Sequence, residues 1–228
     1  MMNEHLRRMR KEWNHNTRTY RDPIGMTGRR PDAKEFRETL RDVASKFAVS
    51  DPAVESILDV GCNNGYLMKC LNSKAALRVG IDFCLPPLLE GRRLHPGMMF
   101  VQGEITHLPV PDKLFDRVLC YNMFHYLQSQ DAGLAAGREL YRVLKPGGRL
   151  LIGDLFTAEH RDLIPAEDRE RWDSPERPYM HRISNWMFIS INALRAMFES
   201  LNPRNIDVVP QHGDIRCPGY RYDIVVDK

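Results

Sequence analysis

Short apolar runs alternate with amphipathic stretches along the chain from about residue 50 onward. Runs of this length with turn residues at their ends are typical of strands buried in a parallel sheet. The sequence predicts five such strands, near residues 57–60, 77–81, 100–102, 115–121 and 149–153. Ser190 to Phe198 predicts an amphipathic helix with Ser190 as N-cap, and residues 206–209 and 220–226 predict two closing strands. This alternation indicates an α/β fold.

The N-terminal segment has a helical pattern of its own. An apolar stripe at spacings of three, four and seven comprises Leu6, Met9, Trp13 and Tyr20. Asp22-Pro23 and Gly25 end this pattern, and a second helix is expected from Asp32 to Phe47. We expect residues 1–48 to form a helical cap on the domain formed by residues 49–228. Residues 155–188 are too long for an ordinary connection and predict a lid insertion.

The first strand ends in Asp59 and opens into a turn rich in Gly and Asn. Gly61 and Gly65 can adopt positive φ and let a ligand approach the main chain closely, and Asn63 and Asn64 tolerate left-handed conformations. A strand, a tight turn and a helix in this order present backbone N–H groups to a nucleotide-like ligand. A purely structural turn remains an alternative. Because Asp59 would repel a pyrophosphate, the turn favours a cationic ligand with a sulfonium and an amino group over a dinucleotide.

Further motifs follow in a fixed order. Asp82 follows the second apolar run, and Glu104 and Ile105 follow the third. Residues 115–127 contain the fourth run and the segment Met123-Phe124-His125-Tyr126-Leu127, and residues 139–154 contain Lys145-Pro146-Gly147-Gly148, where we expect Pro146 to stop a helix. Together these motifs resemble the class I S-adenosylmethionine-dependent methyltransferases over residues 50–228. Asn63 stands where that family has its middle glycine.

The resemblance implies a Rossmann-like, doubly wound, seven-stranded sheet in the order 3-2-1-4-5-7-6, with strand 7 antiparallel. It also implies S-adenosyl-L-methionine as cofactor and S-adenosyl-L-homocysteine as product. In the family pattern Asp82 accepts the ribose hydroxyls, which suits a carboxylate with two oxygens, and Glu104 and Ile105 lie near adenine. The residues expected to bind the cofactor are Asp59, Gly61, Cys62, Asn63, Gly65, Asp82, Phe83, Glu104, Ile105, Tyr121 and Asn122, with Trp13 and Tyr20 from the cap. His15 and Arg21 are further pocket candidates.

Methyl transfer from a sulfonium is an in-line displacement, so positioning can supply about 7 to 11 kcal/mol without a catalytic triad. A hydroxyl acceptor needs a base, for which histidine is suited. We rank His125 first, His181 in the lid second and Asp154 at the end of strand five third. Each has a structural alternative: His125 packs in a helix, His181 is exposed to solvent, and Asp154 caps a turn.

Composition narrows the class of protein. The chain has 228 residues, 43% of them hydrophobic, which suits one domain with additions. No apolar stretch reaches the roughly 18 residues that span a bilayer, and the N-terminus is charged, so we expect a cytoplasmic protein without membrane contact. Five cysteines without a C-x-x-C pair indicate reduced thiols. Tyr121 and Asn122 after strand four, with Asp154 alone after strand five, predict no metal site.

Charge is concentrated at the N-terminus. Residues 1–30 carry a formal charge of +5, whereas the whole chain carries +3. This arm could steer an acidic acceptor or form a solvated helix face. The acidic residues of the lid offset its arginines, which disfavours a nucleic-acid groove.

The function that we expect is methylation of an O or N atom of a small or medium-sized metabolite, such as a sugar, polyketide or peptide. One alternative is a methyltransferase for tRNA or protein. A second alternative is a non-catalytic scaffold that binds S-adenosylmethionine. A homodimer is left open.

Overall fold

A seven-stranded mixed sheet forms the centre of the molecule. In the computed structural model, which describes residues 4–20, 33–211 and 219–228, the strand order is 3-2-1-4-5-7-6, which confirms the expected topology. β7 pairs antiparallel with both β5 and β6, and the first five strands pair in parallel. The strands are β1 (Ser56–Val60), β2 (Leu77–Asp82), β3 (Met99–Gln102), β4 (Phe115–Tyr121), β5 (Leu144–Phe156), β6 (Asn205–Pro210) and β7 (Arg221–Asp227).

Helices cover both faces of this sheet. They are α1 (Glu4–Thr19), α2 (Ala33–Phe47), α3 (Tyr66–Cys70), α4 (Leu85–Leu94), α5 (Gln130–Val143), α6 (Ala166–Asp173) and α7 (Ile191–Glu199). Short 3₁₀ turns occupy 124–126, 158–163, 179–181 and 183–185. The predicted cap of α7 is confirmed, because the Ser190 hydroxyl accepts a hydrogen bond from the Ala193 N–H at 3.2 Å.

The central strands are apolar because both of their faces are covered. All five residues of β1 are buried, including Leu58 at 0% exposure, in agreement with a parallel strand between two helical layers. One core layer contains Phe115, Leu140 and Phe198, and the other contains Phe47, Met68 and Phe100. The sheet therefore presents its functional residues at the carboxyl ends of the strands, where it emerges from these layers.

Pro146 lies three residues beyond the end of the preceding helix, in agreement with the helix stop expected there. α5 ends at Val143, and Leu144 already has extended backbone angles and pairs with Phe115. The residue before a proline is disfavoured in the helical region, so the chain must leave the helix before Lys145. Gly147 then turns the chain with φ +84°.

The two additions lie close to each other in space. α1 packs on α4 and on the 3₁₀ turn at 179–181, which belongs to the insertion after β5. This insertion begins at Thr157 and returns at Ile189, where the two residues form a bridge. Its aromatic residues, among them Trp172 and Phe188, pack on Phe156 at the end of β5. The boundary between residues 48 and 49 stays a prediction.

Some expectations concern residues outside the described ranges. Arg21, the Asp22-Pro23 break, Cys217 and most of the loop between β6 and β7 belong to this group. No helix among the residues that the structure describes has the length and apolar character required to cross a membrane.

Candidate active site

A cavity of about 270 Å³ lies at the carboxyl ends of β1, β2 and β4. This is the edge at which open α/β sheets bind their ligands, and the volume is close to the lower limit for small-molecule pockets. The strand ends and their loops supply Asp59, Gly61, Cys62, Asn63, Asp82, Phe83, Glu104, Ile105, Tyr121 and Asn122. The helices and the segment after β4 supply Leu6, Met9, Trp13, Phe36, Tyr66, Leu67, Met123, Tyr126, Leu127, Gln128 and Ala132.

The loop after β1 bends as its composition predicts. Gly61 and Gly65 both have φ +76°, and Asn63 has φ +52°, so an Asn occupies the left-handed position without a glycine. A Cβ on Gly61 would lie 2.7 Å from Cγ of Met123, and a Cβ on Gly65 would lie 2.8 Å from the Phe100 ring. Gly65 lies outside the cavity lining and shapes the turn.

Asp82 connects β2 to this loop. Its Oδ2 accepts a hydrogen bond from the Asn63 N–H at 2.9 Å, and its Oδ1 accepts one from the Cys84 N–H at 2.9 Å. Burial raises the pKa of Asp82 to about 6, although these hydrogen bonds favour the ionised form. The carboxylate that the family pattern assigns to the ribose therefore also holds the loop.

Asp59 is the second buried carboxylate of the cavity. It is 3% exposed, and its Oδ2 has no hydrogen-bond partner among the residues that the structure describes. Burial, together with the negative charge of Asp82, raises the pKa of Asp59 to about 7. Burying a carboxylate oxygen without a hydrogen-bond partner costs free energy. This position therefore suits a ligand that provides a positively charged hydrogen-bond donor.

The remaining strand-end residues also line the cavity. Glu104 is exposed at its rim, and Ile105 and Phe83 are half-buried beside it. Tyr121 is buried, and its hydroxyl accepts a hydrogen bond from Nε2 of Gln211 at 3.0 Å. Asn122 follows with φ +57° and also lines the cavity.

Helix α1 covers the cavity with one face. Of the predicted cap residues Trp13 lines the cavity, whereas Tyr20 is 46% exposed beyond the end of α1 and does not. His15 is also exposed, within 3.2 Å of the Thr19 hydroxyl. The stripe therefore lines the cavity through Leu6, Met9 and Trp13, and its last member, Tyr20, lies beyond the end of the helix.

The highest-ranked base candidate lies behind the cavity wall. His125 is 2% exposed, and its ring packs against Tyr126, Trp186 and Phe156 at centroid distances of 4.0, 4.7 and 5.4 Å. Tyr126 lines the cavity and His125 does not. The imidazole is therefore separated from the cavity by one aromatic layer.

His181 and Asp154 also lie outside the cavity lining. The rings of His181 and Trp13 are nearly perpendicular, with centroids 6.1 Å apart. Burial, together with the nearby Arg177 guanidinium, lowers the pKa of His181 to about 4. Asp154 is buried at φ +61° and forms an ion pair with Arg221. The imidazole of His181 is thus neutral at neutral pH, and the carboxylate of Asp154 is engaged by a cation away from the cavity.

Sequence reasoning did not name several residues that line the cavity. Leu6 and Met9 belong to the apolar stripe of α1, and Met123 and Tyr126 to the segment after β4, but the sequence pattern predicts none of them as a site residue. Phe36 stacks on Tyr66 with ring centroids 5.6 Å apart and both rings line the cavity. Only the position of Tyr66 directly after the Gly/Asn loop could have drawn attention to this pair.

Among the residues that the structure describes, no group of three His, Cys, Asp or Glu side chains is placed to hold a metal ion. The polar groups of the cavity are carboxylates, amides and backbone N–H groups around an apolar interior. These groups suit an organic cation with hydroxyl groups and an apolar ring.

Comparison with known families agrees with this chemistry. A family model described as a methyltransferase domain matches residues 58–152. The fatty-acid O-methyltransferase of Mycolicibacterium smegmatis is 31% identical over 192 residues, which cover 79% of this chain and 67% of the relative. The demethylmenaquinone methyltransferase of Streptomyces griseus is 35% identical over 105 residues, 46% of this chain and 44% of that protein. A relative from Encephalitozoon cuniculi is covered over 57% of its length, so the chain spans about half the length of some curated relatives.

Solved structures share the fold at lower identity. The N-methyltransferase NodS of Bradyrhizobium japonicum, solved with S-adenosyl-L-homocysteine, superposes with a TM-score of 0.65 over 96% of both chains at 15% identity. A methyltransferase structure from Thermotoga maritima gives a TM-score of 0.58 at 19% identity, with 85% of this chain and 90% of that one covered.

Proposed function

Since the chain belongs to the class I S-adenosylmethionine-dependent methyltransferases, we propose that it transfers a methyl group from S-adenosyl-L-methionine to an O or N atom of a small or medium-sized molecule. The cavity supports this proposal, because its polar groups match those of S-adenosyl-L-methionine. The acceptor types that we consider first are sugars, polyketides and peptides.

The single most informative observation is the pair Asp59 and Asp82 at neighbouring strand ends. Asp59 offers a buried carboxylate oxygen that lacks a partner among the described residues, which suits the amino group of the donor. Asp82 offers its carboxylate to the ribose hydroxyls. Ile105 and Phe83 flank the place that the family pattern gives to adenine, with Glu104 at the rim. These side chains would hold the donor.

When bound, the donor supplies a methyl carbon on a positively charged sulfur, so that attack by an acceptor oxygen or nitrogen breaks the C–S bond and leaves a neutral thioether. The protein orients the two reactants and keeps water away. Leu6, Met9 and Trp13 of α1 form an apolar cover for that purpose. Such positioning can account for about 7 to 11 kcal/mol of the barrier.

A hydroxyl or amine acceptor also loses one proton. We propose that His125 accepts this proton by way of Tyr126, since the His125 ring lies behind the cavity wall and contacts Tyr126, which lines the cavity. His181 is the second candidate for this role, because its ring contacts Trp13. Asp154, paired with Arg221, is left without a role in proton transfer.

Relatives support a small acceptor. The names of two relatives specify a fatty acid and demethylmenaquinone, and that of a third, from Enterobacter lignolyticus, specifies the malonyl group of an acyl carrier protein. A macromolecular acceptor, tRNA or protein, is the second candidate. Arg7, Lys11 and Arg18 favour it because they are exposed on α1, opposite the face that lines the cavity. Replacing all three with Gln would abolish salt-dependent RNA binding if this candidate were correct.

Calorimetry with S-adenosyl-L-methionine and with S-adenosyl-L-homocysteine tests the proposal. We expect affinities near the micromolar range for both, and no binding of NAD⁺ as the matched control nucleotide. Absence of heat with either compound, with the fold verified by circular dichroism, would reject the function. Donor binding without turnover over a broad acceptor panel would favour the scaffold alternative. The cytoplasmic location and the homodimer remain predictions.

A further inference from the structure

Polar and apolar groups are separated within the cavity. Its carboxylates and amides lie at the strand ends and in the loops that follow them, where the donor is proposed to bind. The wall formed by α1 and the segment after β4 is mainly apolar, with Leu6, Met9, Trp13, Met123, Tyr126 and Leu127, and Gln128 adds one amide to it. A ligand that enters beside the donor meets this wall.

Two aromatic rings dominate the wall. Trp13 and Tyr126 meet edge to face, with ring centroids 5.6 Å apart and an interplanar angle of 84°. Each ring has a further ring neighbour that lies outside the cavity lining, His181 beside Trp13 and His125 beside Tyr126, whereas Trp13 and Tyr126 themselves line the cavity and can meet a third ring there edge to face or offset-stacked. A flat apolar ring can therefore extend the pair, whereas a polyhydroxylated ring would lose its hydration there without a matching set of partners.

Contacts outside the cavity hold the two segments that carry these rings. The Glu12 carboxylate accepts hydrogen bonds from the N–H groups of Tyr179 at 3.0 Å and Met180 at 2.8 Å, which fixes α1 to the insertion. His5 lies between the Tyr126 carbonyl, at 3.1 Å from its Nε2, and the Tyr179 hydroxyl, at 3.2 Å from its Nδ1. A wall held in this way binds a ligand with little loss of side-chain freedom.

From this arrangement we infer that the methyl acceptor is an apolar, ring-bearing molecule that carries its hydroxyl or amine on or beside the ring, and that Trp13 and Tyr126 select it. This inference rests on the proposed function and narrows its acceptor class. Among the acceptor types named above, an aromatic polyketide has this chemistry. Sugars and extended peptides do not.

Binding measurements in the presence of saturating S-adenosyl-L-homocysteine test the inference. The probes are 1-naphthol, an apolar ring with one hydroxyl, and D-glucosamine, a polar ring with hydroxyl groups and an amine. We expect 1-naphthol to bind at least about tenfold more tightly than D-glucosamine. Equal binding, tighter binding of D-glucosamine, or no binding of 1-naphthol would overturn the inference.

Substitutions then connect the selectivity to the wall. Trp13→Leu should weaken 1-naphthol binding about tenfold, Trp13→Phe should restore most of it, and Tyr20→Leu, an exposed aromatic at the end of the same helix, should have no effect. Affinity for S-adenosyl-L-homocysteine should change less than about threefold in Trp13→Leu. An equal loss of both affinities would mean that the ring serves the donor and would overturn the inference.

The two proposals fail in different measurements. If S-adenosyl-L-homocysteine does not bind to the folded protein, the proposed function is wrong, whatever the probes do. If it binds and the ring probe does not, the function stands and the acceptor class is wrong.

Discussion

The Oδ2 atom of Asp82 accepts a hydrogen bond from the backbone N–H of Asn63, at 2.9 Å. This bond joins the end of β2 to the loop after β1, at a residue with φ +52°. One carboxylate thus stabilises the left-handed position of the loop and belongs to the proposed ribose site. Loop geometry and donor binding are therefore coupled through Asp82.

Replacing Asp82 with Ala should weaken donor binding by about 1.5 to 3 kcal/mol, because a buried carboxylate partner of hydroxyl groups is removed. The free energy of unfolding should also fall, since the Asn63 and Cys84 N–H groups lose their acceptor. Calorimetry with S-adenosyl-L-homocysteine and urea denaturation measure the two effects. Asp207→Ala, on exposed β6, is the control. Unchanged donor affinity in Asp82→Ala would place the ribose elsewhere.

Donor binding should strengthen as the pH rises from about 5.5 to 7.5. Burial raises the pKa of Asp59 to about 7 and that of Asp82 to about 6, so both carboxyls lose protons in this range. Ionised Asp59 then attracts the amino group of the donor, and ionised Asp82 accepts hydrogen bonds from its ribose hydroxyls. The gain is at most about tenfold per pH unit for each proton released. Affinity for S-adenosyl-L-methionine, measured across this range, should be flatter with pH in Asp59→Asn. An identical pH profile in that variant would contradict the assignment.

The same two carboxyls act in the opposite direction on stability without donor. Their pKa values in the folded protein exceed the usual value of about 3.9, so the folded state binds more protons than the unfolded chain between about pH 4 and 7. Their contribution to stability is therefore present at low pH and lost as the pH rises through 7. Asp59→Asn should reduce this loss, which urea denaturation at pH 5 and pH 7.5 would reveal.

Local sequence information was sufficient for the sheet and the strand-end residues. The apolar runs of the first two strands end near a polar residue that lines the cavity, Asp59 in β1 and Asp82 in β2, because strand periodicity and turn chemistry are encoded over a few residues. The contacts between α1 and the insertion after β5 were not predictable in this way. His5 and Tyr179 are 174 positions apart, and nothing in the sequence near either residue indicates the other.

Catalytic geometry was even harder to predict. A histidine directly after β4 was recognised as a candidate base, but whether its ring enters the cavity depends on how Trp186 and Phe156 pack around it. Likewise, the ion pair between Asp154 and Arg221 joins two strands that are neighbours only in the finished sheet. Side-chain direction of this kind is decided by tertiary packing.

Glu12→Ala should loosen the attachment of α1, which covers the cavity, to the insertion after β5. The variant leaves the Tyr179 and Met180 N–H groups without their charged acceptor, which should cost about 1.5 to 3 kcal/mol of local stability. We expect faster hydrogen exchange at 179–185 and faster dissociation of S-adenosyl-L-homocysteine, both measured against Glu4→Ala on the exposed face of the same helix. Unaltered exchange at 179–185 would show that α1 and the insertion do not depend on Glu12.

The role of His125 can be separated from its packing by a change that keeps an aromatic ring. His125→Phe retains the contacts with Trp186 and Phe156 and removes the imidazole nitrogens. If His125 takes or relays the acceptor proton, kcat should fall by about 10² to 10⁴-fold, with affinity for S-adenosyl-L-homocysteine unchanged. His15→Phe, which replaces an exposed imidazole, should keep full activity. A His125→Phe enzyme within about threefold of the original kcat would instead assign His125 to the aromatic cluster alone, because general acid–base catalysis cannot survive the loss of both ring nitrogens.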